Sequence, residues 1–208
     1  MYGIPNMKLD KDILSRRLRI MEDEGVKFFQ NHDIGNTIDP VEIQASHDAL
    51  LIAIGAGKAR DLRIPGRELK GIHFAMDYLS EATNALVSGL RPQKPLDARD
   101  KRVIVIGGGD TGNDCIGTAI RQGAKSVINL ELLPKPPAER PLESPWPFFS
   151  ILLKTDYGHE EAIARFGLDP RQFSILSKAF LPSSPGKVGA VKSIRVDWKM
   201  SEMGRSEI

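Results

Sequence analysis

The stretch RVIVIGGGDTGNDCIGTAIRQGAKSVINLELLPKP, Arg102 to Pro136, decides the fold. Four β-branched residues, Val103 to Ile106, predict a buried strand. Gly107, Gly109 and Gly112 follow at the spacing G-x-G-x-x-G, and Asp110 to Gln122 predicts a helix. Val127 to Leu133 predicts a second strand, which completes a βαβ unit. The glycine spacing is a weak signal by itself; a strand directly before it and a helix directly behind it supply the context it needs. In that context Gly107 allows a tight turn out of the strand. Gly109 lets the backbone approach a pyrophosphate, and Gly112 lets the helix pack closely on the sheet. The helix N-terminus offers unpaired N–H groups to phosphate. Thr111 could add a hydroxyl donor or a cap. The charge of Asp110 does not favour a pyrophosphate, so Asp110 reads as the helix N-cap. The competing reading is a purely structural strand–turn–helix.

Glu131 lies 19 residues after Gly112, near the spacing of the acidic group that takes a ribose 2′-hydroxyl. A carboxylate there repels a 2′-phosphate and favours NADH over NADPH. Lys135 and Arg140, just beyond, are the opposing feature, because a basic group nearby could accept that phosphate. The plain alternative is an acidic residue exposed at a strand end. Cys115 reads as a small buried spacer rather than a reactive thiol. His32, His47, His73 and His159 show no ligand spacing, so no metal site is expected. Trp146 and Trp198 read as packing anchors.

Upstream, Leu9 to Glu24 predicts a helix with Gly25 at its C′ position. Val26 to Phe29 is a short strand candidate, and Pro40 to Gln44 could open a short helix. Ala49 to Ile54, ALLIAI, reads as a buried parallel strand ending at the turn Gly55 to Gly57. Phe74 to Leu90 predicts an amphipathic helix. Downstream, Pro134 to Pro147 holds six of the fourteen prolines and predicts an irregular surface excursion. Glu160 to Phe166 predicts a short helix stopped by Gly167. FSILSKAFL and AVKSIRVDW predict antiparallel strands around a Pro/Gly/Ser turn at Pro182 to Gly189.

The 208 residues are 27% charged and 41% apolar, a globular balance in one large domain or two small ones. The net charge is +2 with basic residues scattered, which gives nucleic-acid binding no support. One cysteine excludes an internal disulfide and a local cysteine-held iron–sulfur cluster. No apolar run reaches membrane-spanning length, and no signal peptide is visible at the start. The expected compartment is the cytoplasm, with an organelle left open. The opening MYGIPNMKLDKD reads as a loop entering a helix, so the chain is expected to begin inside a larger fold.

Five stretches carry a longer likeness: YGIPNMKLDK, RIPGRELKGIHFAMDYL, VIVIGGGDTGNDC, LELLPKPPAER and DYGHEEA. Together, from Tyr2 to about Lys199, they resemble the flavin-containing reductase part of the glutamate synthase family. The likeness is strongest to the NADH-linked form, as a small subunit or a C-terminal portion. It implies an α/β fold, a Rossmann-like nicotinamide-binding domain of a flavoprotein with two dinucleotide-binding domains. It divides the chain at about residue 70, into a partial FAD-domain segment with its crossover, 1–70, and an NAD(P)-binding domain, 71–208.

The resemblance implies NADH or NADPH as electron donor and FAD as acceptor. Electrons leave through iron–sulfur clusters to a large amidotransferase part that forms glutamate from glutamine and 2-oxoglutarate. The loop Gly3, Ile4 and Pro5, and the turn Gly55, Ala56 and Gly57, would lie near the flavin. Hydride passes directly between cofactors, so no catalytic side chain is expected. The sequence departs from the family at Ala53-Ile54-Gly55, where A-T-G is usual, and at SPWPFFS through Ser144, Phe149 and Ser150. It holds no second glycine fingerprint upstream of YGIP and no closing FAD segment, so this chain alone is expected to bind FAD poorly. The competing functional readings are a non-catalytic dinucleotide-binding module and a related flavoprotein reductase with another acceptor.

Overall fold

In the computed structural model, residues 2–89, 96–142, 145–148, 152–201 and 204–207 are described. Ser144, Phe149 and Ser150, three of the positions that depart from the family pattern, lie outside them. The chain forms two compact units: Asp10–Asp61, and Met1–Leu9 together with Leu62–Ile208.

The Asp10–Asp61 unit holds α1 (Lys11–Asp23) and α2 (Pro40–Ala45). The side chain of Asp10 accepts from the backbone N–H of Asp12 and caps α1. Gly25, at φ 97°, ends it. The Val26 N–H donates to the Met21 carbonyl (2.9 Å) and the Gly25 N–H to that of Glu22 (2.9 Å), which satisfies the last carbonyls as a Schellman turn does. Asp39 caps α2 and Pro40 sits at its first position, where the missing N–H costs nothing. Two expected strands do not form. Val26 to Phe29 is irregular, with Phe29 73% exposed, and Ala49 to Ile54 is irregular, with Leu51 90% exposed. An apolar run becomes a strand by pairing, and no described strand of this unit lies beside either stretch.

The larger unit adds α3 (Ala75–Ser88), β1 (Arg102–Ile106), α4 (Asp110–Arg121), β2 (Ser126–Leu130), α5 (Tyr157–Phe166) and β3 (Arg171–Gln172). It then adds β4 (Ile175–Ser184), β5 (Lys187–Arg195), β6 (Trp198–Ser201) and β7 (Gly204–Glu207). β1, β2 and β3 form a parallel sheet in that order; Val103 faces Val127 across it, and Asn129 faces Arg171. β4 and β5 pair antiparallel, as do β6 and β7. The Ile175 N–H donates to the Glu131 carbonyl (2.9 Å) and so fastens the long hairpin to the end of β2.

The core lies between the sheet and its helices. Ile116 and Ala119 of α4, Val127 of β2, Ala162 of α5, Ala98 and Ala124 are buried, with Val103, Val105, Tyr78 and Phe166 packed around them. The other sheet face leaves Ile104, Ile106 and Ile128 exposed. α4 is buried without a break from Gly112 to Ala119, so its polar residues need partners inside the protein. Asp114 accepts from Lys8 Nζ (3.1 Å) and from the Tyr157 hydroxyl (2.8 Å). Burial pushes the Tyr157 phenol pKa up, and its hydrogen bond to Asp114 adds to the rise. Gly158 lets α5 approach: a Cβ there would sit 2.5 Å from the Asn113 carbonyl oxygen.

The expected Pro134 to Pro147 excursion is irregular over its described residues. Trp198 anchors as expected, donating from Nε1 to the Leu132 carbonyl (3.0 Å), but Trp146 is 83% exposed among the described residues. Cys115 is buried, and that burial, aided by the Asp114 charge, pushes its thiol up to about 12. It is a packing residue with almost no thiolate at neutral pH.

Candidate functional site: a glycine loop over a groove

The end of β1 runs into the glycine loop. Gly107 (φ 98°) and Gly109 (φ 84°) adopt left-handed conformations that other residues resist. Nothing stands within 4 Å of a Cβ built on either, so the space over the loop is open. Gly112 serves a different purpose. A Cβ there would lie 2.8 Å from the Gly107 carbonyl oxygen, so its absence lets α4 close onto the turn. Gly109, rather than Asp110, is the N-cap, and it has no side-chain hydrogen bond to give. The left-handed turn at Gly109 brings the helix in one residue earlier than a side-chain cap would. Asp110 is therefore the first helical residue, where its charge complements the helix dipole. Thr111 is exposed in the first turn.

The loop forms one wall of a groove of about 770 Å³. Gly108, Gly109 and Asp110 face it, together with Asn113, Asn129, Glu131, Lys154 to Asp156, His159, Arg171 and Phe173. β2 ends at Leu130, three residues short of the expected limit, so Glu131 stands directly at the strand's carboxyl end. Its backbone is fixed on both sides: the N–H donates to the Gln172 carbonyl (2.8 Å), and the carbonyl accepts from Ile175. Its carboxylate accepts from the Leu133 N–H (3.2 Å). Lys135 and Arg140 do not line the groove; Arg140 donates to the Phe148 carbonyl instead (3.1 Å).

Three groove residues gave no signal at the level of motifs. Asn129 is 2% exposed and donates from Nδ2 to the carbonyls of Val105 (3.1 Å) and Gly107 (2.8 Å). It thereby pins the glycine turn to the neighbouring strand; the clue was an asparagine inside the apolar run SVINL. Asn113, also 2% exposed, accepts the His159 N–H at Oδ1 (3.2 Å), while its buried Nδ2 has no partner among the described residues. Arg171 grips Asp169 with two nitrogens (2.9 and 2.8 Å) and donates to the Lys154 carbonyl (2.7 Å) and the Thr155 hydroxyl (3.2 Å). This clamp holds the far wall, and it keeps the Asp169 carboxyl below the usual range. Nothing in the RQF sequence announces a two-residue strand.

The remaining expected residues lie elsewhere. Gly3, Ile4 and Pro5 form a turn in the larger unit, where the Pro5 carbonyl accepts from the N–H groups of Lys8 and Leu9 (both 3.0 Å). A Cβ on Gly3 would overlap the Met76 methyl carbon. Gly55, Ala56 and Gly57 belong to the Asp10–Asp61 unit. Among the described residues no helix is long and apolar enough to cross a membrane.

A strand, a left-handed glycine turn and a helix N-terminus facing an open groove are the parts of a dinucleotide-binding turn. Residues 8–145 match the family described as pyridine nucleotide-disulphide oxidoreductase. The chain belongs to that family. It is 49% identical over 98% of its length to glutamate synthase (NADH) of Saccharomyces cerevisiae, of which it spans 10%. It is 44% identical over 99% of its length to the small chain of glutamate synthase (NADPH) of Bacillus subtilis, of which it spans 42%. The chain thus spans less than half the length of these relatives. Among solved structures, FprA of Mycobacterium tuberculosis in complex with NADPH is similar at a TM-score of 0.59 and 17% identity, over 99% of this chain and 55% of that one. That likeness confirms the mixed α/β dinucleotide-binding fold.

Proposed function

We propose that the groove binds a nicotinamide dinucleotide and that the chain acts as reductase segment of a glutamate synthase, with NADH as electron donor. One observation carries the reading. The loop at Gly108 and Gly109, the first turn of α4 and Glu131 converge on one groove, in a chain nearly half identical to an NADH-named relative. The free N–H groups at the start of α4 receive the pyrophosphate. Glu131 accepts from the ribose hydroxyls and repels a 2′-phosphate. Asn129 keeps the turn in register by holding the Gly107 carbonyl. No side chain acts as nucleophile, acid or base; the protein supplies orientation.

FAD, when bound in the whole protein, supplies the carrier between the two-electron donor and one-electron acceptors. The described residues hold a single glycine loop at a strand–helix turn, so the chain alone is expected to retain no flavin. The larger assembly, in this reading, passes the electrons through iron–sulfur clusters to an amidotransferase part that makes glutamate from glutamine and 2-oxoglutarate. Calorimetric titration of the chain with NADH and NADPH tests the reading. NADH is expected to bind at least about tenfold tighter, the scale of one hydrogen bond to a charged group, and Glu131→Ala to narrow that gap. Equal affinities in the unaltered chain would remove NADH preference. A flavin spectrum at one equivalent after gel filtration would overturn the division of cofactors.

A further inference from the structure

The glycine loop has three consecutive glycines, and the fingerprint accounts for only two. Gly107 and Gly109 are explained by backbone: both are left-handed, and both face open space. Gly108 is the reverse case. Its φ lies outside the left-handed range, so the backbone would accept any residue. What it would not accept is a Cβ beside Glu131. A Cβ built on Gly108 overlaps the Glu131 Oε2 and lies 3.1 Å from Cδ and 3.7 Å from Cγ. The three heavy atoms nearest to it all belong to the Glu131 side chain.

We propose that Gly108 is a specificity-determining position. Its missing side chain leaves the room in which the Glu131 carboxylate stands over the loop, and so it sets the preference for an unphosphorylated ribose. The inference rests on the reading of Glu131 as the ribose ligand and adds what holds that ligand in place. The Glu131 backbone cannot move aside, because it is bonded through its N–H to Gln172 and through its carbonyl to Ile175. Only the carboxylate can yield, and it is the far end of a flexible side chain. An alanine at position 108 therefore turns the carboxylate out of the groove without disturbing β2 or α4. The chain keeps its fold and its pyrophosphate site but loses its discrimination at the ribose.

The test is a double-mutant cycle on the full chain, with NADH and NADPH each titrated by calorimetry and each variant melted. Gly108→Ala is expected to weaken NADH about tenfold or more, to leave NADPH no weaker because the repulsion of its 2′-phosphate is relieved, and to melt as the unaltered chain does. Glu131→Ala should collapse the NADH-to-NADPH ratio equally, and the double variant should match Glu131→Ala alone, because the two changes remove one interaction. If Glu131→Ala collapses the ratio and Gly108→Ala leaves it intact, the inference about Gly108 fails while the reading of Glu131 stands. If Glu131→Ala leaves the ratio unmoved, the reading fails and the inference with it. Should Gly108→Ala unfold, addition of Glu131→Ala must restore the fold; an unrestored double variant overturns the proposal, since the obstacle was then not the carboxylate.

Discussion

Val103 to Ile106 and Ala49 to Ile54 are nearly the same kind of sequence, each an unbroken apolar run followed by a glycine turn. They end in opposite states. The first is β1, bonded to β2 along its length, with Val103 and Val105 turned onto the core. The second is irregular, with Leu50, Leu51, Ile52 and Ile54 all exposed. Composition does not separate them. What separates them is the neighbourhood that the following residues build: after Ile106 come a helix and a second strand that return to pair with it, and after Ile54 no described element does. A strand is a relation between segments, and its apolar residues bring stability only in proportion to the area that a partner covers.

The comparison would break if the two units responded alike to truncation. Ile116, fully buried over β1, and Leu51, 90% exposed, are the pair to test. Ile116→Ala should cost about 2–5 kcal/mol, from lost burial and the cavity left behind. Leu51→Ala should fall within about 0.5 kcal/mol of zero. Urea unfolding followed by tryptophan fluorescence and circular dichroism measures both. A large loss from Leu51→Ala would mean that the ALLIAI stretch is covered in solution.

A smaller effect sharpens how the larger unit is built. Gly158→Ala places a methyl 2.5 Å from the Asn113 carbonyl oxygen and 3.0 Å from the Gly117 nitrogen, both backbone atoms that cannot swing away. The expected cost is about 1–3 kcal/mol, as for overpacking elsewhere, read as a fall in melting temperature. Gly57→Ala, in the other unit, meets nothing within 4 Å and has no left-handed backbone to strain, so its melt should be unchanged.

Local chemistry was legible in the sequence where it acts locally. Gly25 and Gly167 end their helices as left-handed residues, and the βαβ unit around Gly107 to Gly112 stands where its spacing put it. The antiparallel pair β4–β5 also formed, although its strands run on to Ser184 and from Lys187, inside the stretch Pro182 to Gly189 expected as turn. Features set by distant partners were not legible. Asp110 has the chemistry of a cap, yet the conformation of Gly109 took that place. Trp146 has the bulk of an anchor, but no described side chain covers it. β3 is two residues long and exists because Asn129 and Leu130 of β2 offer it an edge. The groove's far wall depends on the Arg171 clamp, whose partners lie 16 and 17 residues earlier at Thr155 and Lys154. The candidate site was thus readable residue by residue on the glycine side, whereas on the opposite side DYGHEEA carried a family likeness and no role for Asp156 or His159, and Arg171 stood outside any motif.

The smallest expected effect concerns that opposite wall. His159 sits at the third position of α5, and its Nδ1 accepts from the Asp156 N–H (3.2 Å) while the Asp156 side chain bonds back to the helix. This reciprocal cap requires a neutral imidazole, since a protonated ring has no acceptor. Burial lowers the His159 pKa, and the Arg171 charge lowers it further. The native state therefore stays neutral where the unfolded chain already takes up a proton. Stability is fully present above the unfolded histidine value near 6.5 and falls as the pH drops through the interval below it. The depressed Asp169 carboxyl also loses its contribution on acidification, but only below its ordinary range near 3.8, so the two windows are separate. Between pH 7 and 5 the melting temperature should decline by the equivalent of roughly 0.5–1 kcal/mol, the scale of one cap. His159→Gln keeps an acceptor that does not titrate and preserves the reciprocal cap. That variant should flatten the decline across this window while leaving the neutral-pH melt close to that of the unaltered chain; an undiminished slope would assign the pH dependence to another group and detach His159 from the stability of the groove wall.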